Sequence, residues 1–162
     1  MRIALAQLNP TSGDIDGNTT KVIDAIASAS ARGADLLVTP EMAIPGYCIG
    51  DLVEDAGFLA ANERALQRVA AAATSLTAIV GFIDHHPTER NDSGTILKYN
   101  AAAVVSRGRV LQRAHKSLLP NYRYFDDKRY FAPARARDPV AVTLDGRAVR
   151  LGVSICEDMW DE

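Results

Sequence analysis

The opening stretch of the chain leaves little freedom in architecture. Residues 2–8, Arg-Ile-Ala-Leu-Ala-Gln-Leu, form an apolar run of strand length, and Leu36-Leu37-Val38-Thr39 form a second. Between them Asn18 stands at the head of a segment running to Ala31, on which Val22, Ile23 and Ile26 share one helical face; Gly33 follows. An Asn side chain at a helix start accepts from otherwise unpaired N–H groups, and a glycine just past the end takes the left-handed backbone that closes the last turn. Strand, helix and strand in so short a span predict a βαβ unit. Its strands must run parallel, because the helical crossover returns the chain to the same end of the sheet.

The remaining pattern extends that unit. Residues 58–73 predict a second helix with Leu59, Leu66, Val69 and Ala70 inward, and residues 78–83 a third strand. Residues 85–94, with Pro87, Asn91 and Gly94, read as a polar loop. Residues 99–106 and 109–115 flank Arg107-Gly108, so they predict an antiparallel hairpin and make the sheet mixed. Residues 147–155 follow an Asp145-Gly146 turn and alternate Val149, Leu151, Val153 and Ile155, which predicts a strand set deep in the sheet with Cys156 at its tip. No repeat or linker divides the chain, so residues 1–162 read as one α/β domain with a mixed sheet.

Composition narrows the class of partner. With 48% hydrophobic and 23% charged residues the chain can build a core, which excludes a low-complexity or disordered protein. Eighteen basic against 20 acidic residues give a net charge of −2, so no positive excess favours nucleic acid or an anionic membrane. The basic cluster over residues 123–137 is interleaved with Asp126 and Asp127 and reads as a solvated loop. The N-terminal apolar run is too short for a signal peptide, and the longest uncharged run, residues 69–83, falls short of the ~20 apolar residues that span a bilayer. Cys48 and Cys156 are the two cysteines and suggest no disulfide framework. The expectation is a soluble, cytoplasmic protein.

Three side chains capable of chemistry share one placement, just beyond an apolar run: Glu41 after Val38-Thr39-Pro40, Lys116 after residues 109–115, and Cys156 at the end of the last run. Functional groups in α/β sheets gather at strand ends, where a crevice opens. Taken singly, each has a plain structural explanation as a surface charge, an exposed cation or an inert buried thiol. Together they form a chemical set. A thiol nucleophile needs a base, a glutamate shielded from water can serve as one, and an ammonium with the backbone N–H of Glu157 can hold the oxyanion formed on an attacked amide. His85-His86 with Cys48 or Cys156 is an alternative metal site, but adjacent histidines diverge and no ligand spacing recurs, so no metal is expected.

The motifs Pro40-Glu41-Met42, His115-Lys116-Ser117-Leu118-Leu119-Pro120-Asn121-Tyr122 and Ile155-Cys156-Glu157-Asp158-Met159-Trp160 resemble the Glu–Lys–Cys signature of the nitrilase, or carbon–nitrogen hydrolase, superfamily. Gly46-Tyr47 before Asp51-Leu52, and Phe125-Asp126-Asp127-Lys128-Arg129-Tyr130-Phe131, are similar to the branch formed by the glutaminase domains of glutamine-dependent NAD synthetases. The resemblance implies an αββα sandwich with Glu41 as general base, Lys116 as oxyanion-stabilising cation and Cys156 as nucleophile. It also implies that Tyr47 and Tyr122 border a glutamine pocket, against an equally open reading of both as half-buried aromatic packing. Asp127 would be a supporting carboxylate beside Lys116, one methylene shorter than the glutamate common in that branch. Cys48 and Gly50 depart from the usual Tyr-Pro-x-Glu-Asp segment.

The implied reaction attacks the glutamine amide through a thioester and needs no metal or organic cofactor; ATP belongs to the synthetase domain that converts deamido-NAD to NAD. The implied protein partner is a second copy or that synthetase domain. The family's sandwich continues past its cysteine. Residues 1–162 are therefore expected to be a partial, C-terminally truncated glutamine amidase domain, without the synthetase domain and impaired in activity. Alternatives are a general ω-amidase or carbamoylase of the same superfamily, or a non-catalytic remnant.

Overall fold

Strands β1 (Ile3–Leu5) and β2 (Leu36–Val38) pair in parallel, with Ile3 opposite Leu36 and Leu5 opposite Val38, and helix α1 (Ile15–Ala31) joins them. The structure, a computed structural model, describes residues 1–92 and 94–160. Helix α1 begins ahead of the expected Asn18. Asp14 is its cap and accepts the Gly17 N–H at 2.9 Å, where a carboxylate also complements the positive end of the helix. Asn18 lies within the first turns, buried, and fastens neighbouring loops instead: its Oδ1 accepts the Thr11 N–H at 2.8 Å and its Nδ2 donates to the Ile44 carbonyl at 3.0 Å. Gly33, at φ 67°, ends the helix as expected. The expected buried strand over residues 2–8 is a three-residue strand at the sheet edge, with Ile3 51% and Leu5 67% exposed.

Helix α2 (Ala56–Ala72) leads into β3 (Thr77–Arg90), which pairs in parallel with β2; β4 (Ile96–Ser106) and β5 (Arg109–His115) complete the sheet in antiparallel fashion. The order β1-β2-β3-β4-β5 is the expected mixed sheet. Arg107 and Gly108 sit at φ 53° and 77°, the left-handed pair that a two-residue hairpin turn requires. Residues 85–90 are a correction: they continue β3, with His85 opposite Lys98 and Arg90 opposite Ile96, and the register breaks between those pairs. The length of β4 supplies backbone partners that override the polar composition, and Pro87, which has no N–H, falls where the ladder is interrupted. Ser93, part of the expected loop, lies outside the described residues.

Three layers result, in the order helix, sheet, sheet. Val22 and Ile26 of α1 and Leu66 and Val69 of α2 pack against Leu37, Val80 and Phe82 on one face of the main sheet. On the other face lies a two-stranded antiparallel sheet, β6 (Val140–Leu144) and β7 (Arg147–Leu151), turned at Asp145 and Gly146. Val142 and Leu144 contact the cluster containing Leu36 and Val104, and Val149, Leu151 and Val153 join them. The run over residues 147–155 is therefore not deep in the main sheet. Strict alternation marks a strand with one buried face, which is what β7 is, and the strand stops at Leu151 before Gly152. Among the described residues, no helix is long and apolar enough to cross a membrane.

Gly81 of β3 admits the loop that leaves β2. A Cβ there would strike the Pro40 carbonyl and stand 2.5 Å from Met42 N and 2.9 Å from Ala43 N. With the space left open, the Ile44 N–H donates to the Gly81 carbonyl at 3.0 Å and the Gly81 N–H to Thr39 Oγ1 at 3.2 Å. Backbone on both sides makes the contact unyielding. Gly81→Ala is expected to cost about 1–3 kcal/mol of stability, read as a lowered melting temperature. An unchanged melt would show that the loop around Glu41 gives way freely.

Candidate active site

Two charged residues that leave the main sheet at the same end, from strands β2 and β5, meet. Glu41 follows β2 and Pro40; Lys116 follows β5 and is held by its N–H donating to the Asn100 carbonyl at 2.9 Å. Lys116 Nζ lies 2.6 Å from Glu41 Oε1 and 2.8 Å from Asp127 Oδ2. Asp127, which opens the short helix α3 (Asp127–Tyr130), has its side chain 3% exposed, and that of Lys116 is 1% exposed. The Tyr47 hydroxyl donates to Asp127 Oδ1 at 2.8 Å. Asn100 Nδ2 donates to Glu41 Oε1 at 2.7 Å and to Asp127 Oδ2 at 3.4 Å.

An ammonium this deeply buried survives only with carboxylates on it. Burial pulls the Lys116 pKa down, but the hydrogen bonds and charges of Asp127 and Glu41 outweigh it and hold the group above its ordinary 10.5. Burial, followed by the bond to Asp127, pushes the Tyr47 phenol far above its usual range, so Tyr47 stays a donor at neutral pH.

Cys156 starts a 3-10 turn (Cys156–Met159) after the extended approach from β7, at φ 47°. The residue is exposed, and it lines one cavity together with Glu41. Desolvation and then the Glu41 charge raise the thiol above its ordinary 9.0, with Lys116 opposing. At neutral pH the resting thiol therefore keeps its proton, and a base must remove it. A cavity of about 330 Å³ opens beside it, lined by Val38, Pro40, Glu41, Ala101, Ile155 and Cys156 among others.

The other expected site residues group around Phe125, which packs against Tyr47 at 6.1 Å and Tyr122 at 5.6 Å between ring centroids. Tyr47 is turned to Asp127 and so belongs to the charged cluster. Tyr122 is half exposed and donates to the Glu157 carboxylate at 2.9 Å, a side-chain partner where the sequence suggested a role for the Glu157 backbone. Tyr122 and Glu157 line a groove of about 720 Å³ with Leu118, Phe131 and Trp160; Tyr47 does not. Sequence reasoning passed over two residues. Asn100, fully buried, stands directly before the apolar run Ala101-Ala102-Ala103-Val104-Val105, and a buried amide at the head of such a run is a signal in itself. Asp158, also buried, was read as part of a motif but given no task.

The family model described as carbon-nitrogen hydrolase matches residues 2–161. The chain is 44% identical over 163 aligned residues to the glutamine-dependent NAD(+) synthetase of Thermotoga maritima, a match covering 99% of this chain and 26% of that protein. It thus spans about a quarter of the length of that curated relative. Among solved structures, the glutamine-dependent NAD+ synthetase of Acinetobacter baumannii superposes with TM-score 0.77 at 34% identity, over 98% of this chain and 28% of that one. A mutant amidase from Nesterenkonia sp. AN1, with the acetamide moiety of fluoroacetamide added covalently at its active site cysteine, superposes with TM-score 0.73 at 25% identity, over 97% and 56% of the two chains.

Proposed function

The chain belongs to the carbon–nitrogen hydrolase family, and from that premise we propose that it hydrolyses the side-chain amide of glutamine, with Cys156 as nucleophile, Glu41 as base and Lys116 as the cation on the oxyanion. In this role it is the ammonia-releasing part of a glutamine-dependent NAD synthetase. One observation carries the reading: Glu41, whose carboxylate holds a buried ammonium at 2.6 Å, lines the same cavity as Cys156. Homology to the Thermotoga maritima enzyme supports glutamine as substrate, and the covalent adduct on the Nesterenkonia amidase supports a cysteine that bonds to carbon.

In the proposed route each step falls to a residue of this cluster. Glu41 Oε1 already accepts from Lys116 and Asn100, so Oε2 is the oxygen that takes the thiol proton. The thiolate sulfur bonds to the amide carbon, and the resulting oxyanion is held by the Lys116 ammonium and the Glu157 N–H. Collapse breaks the C–N bond, protonated Glu41 returns its proton to the departing nitrogen, and ammonia leaves. Glu41 then deprotonates a water that attacks the thioester, which releases glutamate and restores the thiol. Asp127, gripped by Tyr47, keeps Lys116 charged throughout. Carbonyl polarisation falls to Lys116, so the route calls on no metal or organic cofactor, and ATP belongs to the synthetase reaction.

Turnover by these 162 residues is expected to be slow. Cys156 is exposed and Trp160, which ends its turn, is 75% exposed, so water reaches the sulfur and screens the charges that should act on the oxyanion. The test is a comparison of initial rates of ammonia release from glutamine, from simple ω-amides and from N-carbamoyl compounds. Glutamine is expected to give the highest kcat/KM. A higher value for an ω-amide or a carbamoyl compound would reassign the substrate within the same chemistry.

A further inference from the structure

Resting on that catalytic reading, we propose that Asp158 is a positioning residue: its carboxylate fastens the turn that carries the nucleophile to the segment that carries the lysine. Oδ1 accepts the backbone N–H groups of Ser117 and Leu118, both at 2.8 Å, and Oδ2 accepts that of Ile155 at 3.0 Å. Ser117 and Leu118 directly follow Lys116, and Ile155 directly precedes Cys156. One side chain, 8% exposed, therefore joins two pieces of backbone that lie far apart in sequence, each one bond from a catalytic residue.

The arrangement exceeds what the turn needs for itself. A carboxylate that only closed a 3-10 turn would be satisfied by the Ile155 N–H. The bonds from Oδ1 to Ser117 and Leu118 add nothing to the turn and fix it relative to Lys116. Among the described residues, the turn's own backbone bonds are local, Asp158 N to Ile155 O at 3.1 Å and Trp160 N to Glu157 O at 2.9 Å. The Tyr122–Glu157 contact is exposed to solvent and weak for that reason. Charge-assisted bonds to backbone N–H groups, shielded from water, are the strong ones. The left-handed backbone of Cys156, unfavourable for a residue with a Cβ, is held in place from both sides by this carboxylate.

Asp158→Asn tests this, because the amide keeps the shape and one acceptor oxygen but presents an NH2 group to one of the two segments. The expected result is a kcat for ammonia release lowered about tenfold to a hundredfold with KM within about threefold, since alignment and not substrate binding is lost. A second reading does not depend on turnover. The pH midpoint of Cys156 alkylation by iodoacetamide, raised in the unsubstituted chain, should fall toward the ordinary thiol value as the sulfur drifts from Glu41. Thermal melting monitors folding; if Asp158→Asn does not fold, Asp158→Ser, too short to bridge both segments, carries the same expectation. A folded variant with unchanged kcat and unchanged alkylation profile overturns the proposal. Full turnover in Cys156→Ala would instead defeat the catalytic reading, while the alkylation profile would still judge the role of Asp158.

Discussion

Cys156→Ala should abolish ammonia release from glutamine, by a factor of about 10⁴ or more, and leave the fold intact. The size follows from the role: a chain without its nucleophile retains only what binding and oxyanion donors contribute. Preservation of the fold follows from exposure. Cys156 belongs to none of the three buried apolar clusters, so removing its sulfur opens no cavity in them. Alanine tolerates the φ of 47° no worse than cysteine does. Stability should therefore shift by no more than about 0.5 kcal/mol, as for other surface substitutions. The check is an enzyme-coupled ammonia assay beside a thermal melt. Lost activity with a collapsed melt would point to a structural thiol, and retained activity would remove Cys156 from the mechanism.

Glu41→Gln should produce two effects that point in opposite directions. Turnover falls by about 10²–10⁴, because no group remains to take the thiol proton or to activate water. The thiol itself becomes easier to ionise. In the native site burial and then the Glu41 charge raise the thiol while Lys116 lowers it. Removing the anion and keeping the ammonium, which Asp127 still holds at 2.8 Å, favours the thiolate. The midpoint of the alkylation profile should therefore move to lower pH. The check is iodoacetamide labelling of Cys156 as a function of pH, beside the ammonia assay. A glutamate that merely balanced the charge of Lys116, at a distance from the sulfur, would leave the thiol profile where it was.

Much of this architecture was legible because it rests on periodicity and turn chemistry. Val22 and Ile26 on α1, and Leu59, Leu66, Val69 and Ala70 on α2, are buried as their spacing predicted, and both two-residue turns fall at the dipeptides that suggested them. What was misread shares a different cause. Asn18 and Asp14 are both good helix-start residues, and the choice between them was made by Thr11 and Ile44, loop partners that no local pattern reveals. Residues 85–90 became strand because β4 ran long enough to pair with them. Residues 147–151 alternated as a half-buried strand should, but the layer that covers them depends on the β6 hairpin partner and not on their own order.

The site divides in the same way. Glu41, Lys116 and Cys156 stood out as reactive groups at the ends of apolar runs, and the resemblance placed Asp127 beside Lys116. Asp158 did not stand out, because all three of its partners are backbone N–H groups, which every sequence supplies at every position. Tyr47 was visible as an aromatic near the site. That its hydroxyl is committed to Asp127 depends on α3 and the loop after Gly46 arriving at the same place.

The most direct test of a covalent amide hydrolysis at this cluster is intact-mass and peptide mass spectrometry of the chain after rapid acid quenching in the presence of glutamine. The thioester is expected as an adduct of glutamine less ammonia, mapped to the peptide containing Cys156. It should be absent from Cys156→Ala. An adduct on Cys48, an adduct that survives in Cys156→Ala, or ammonia release with no adduct at any quench time would contradict a nucleophilic role for Cys156.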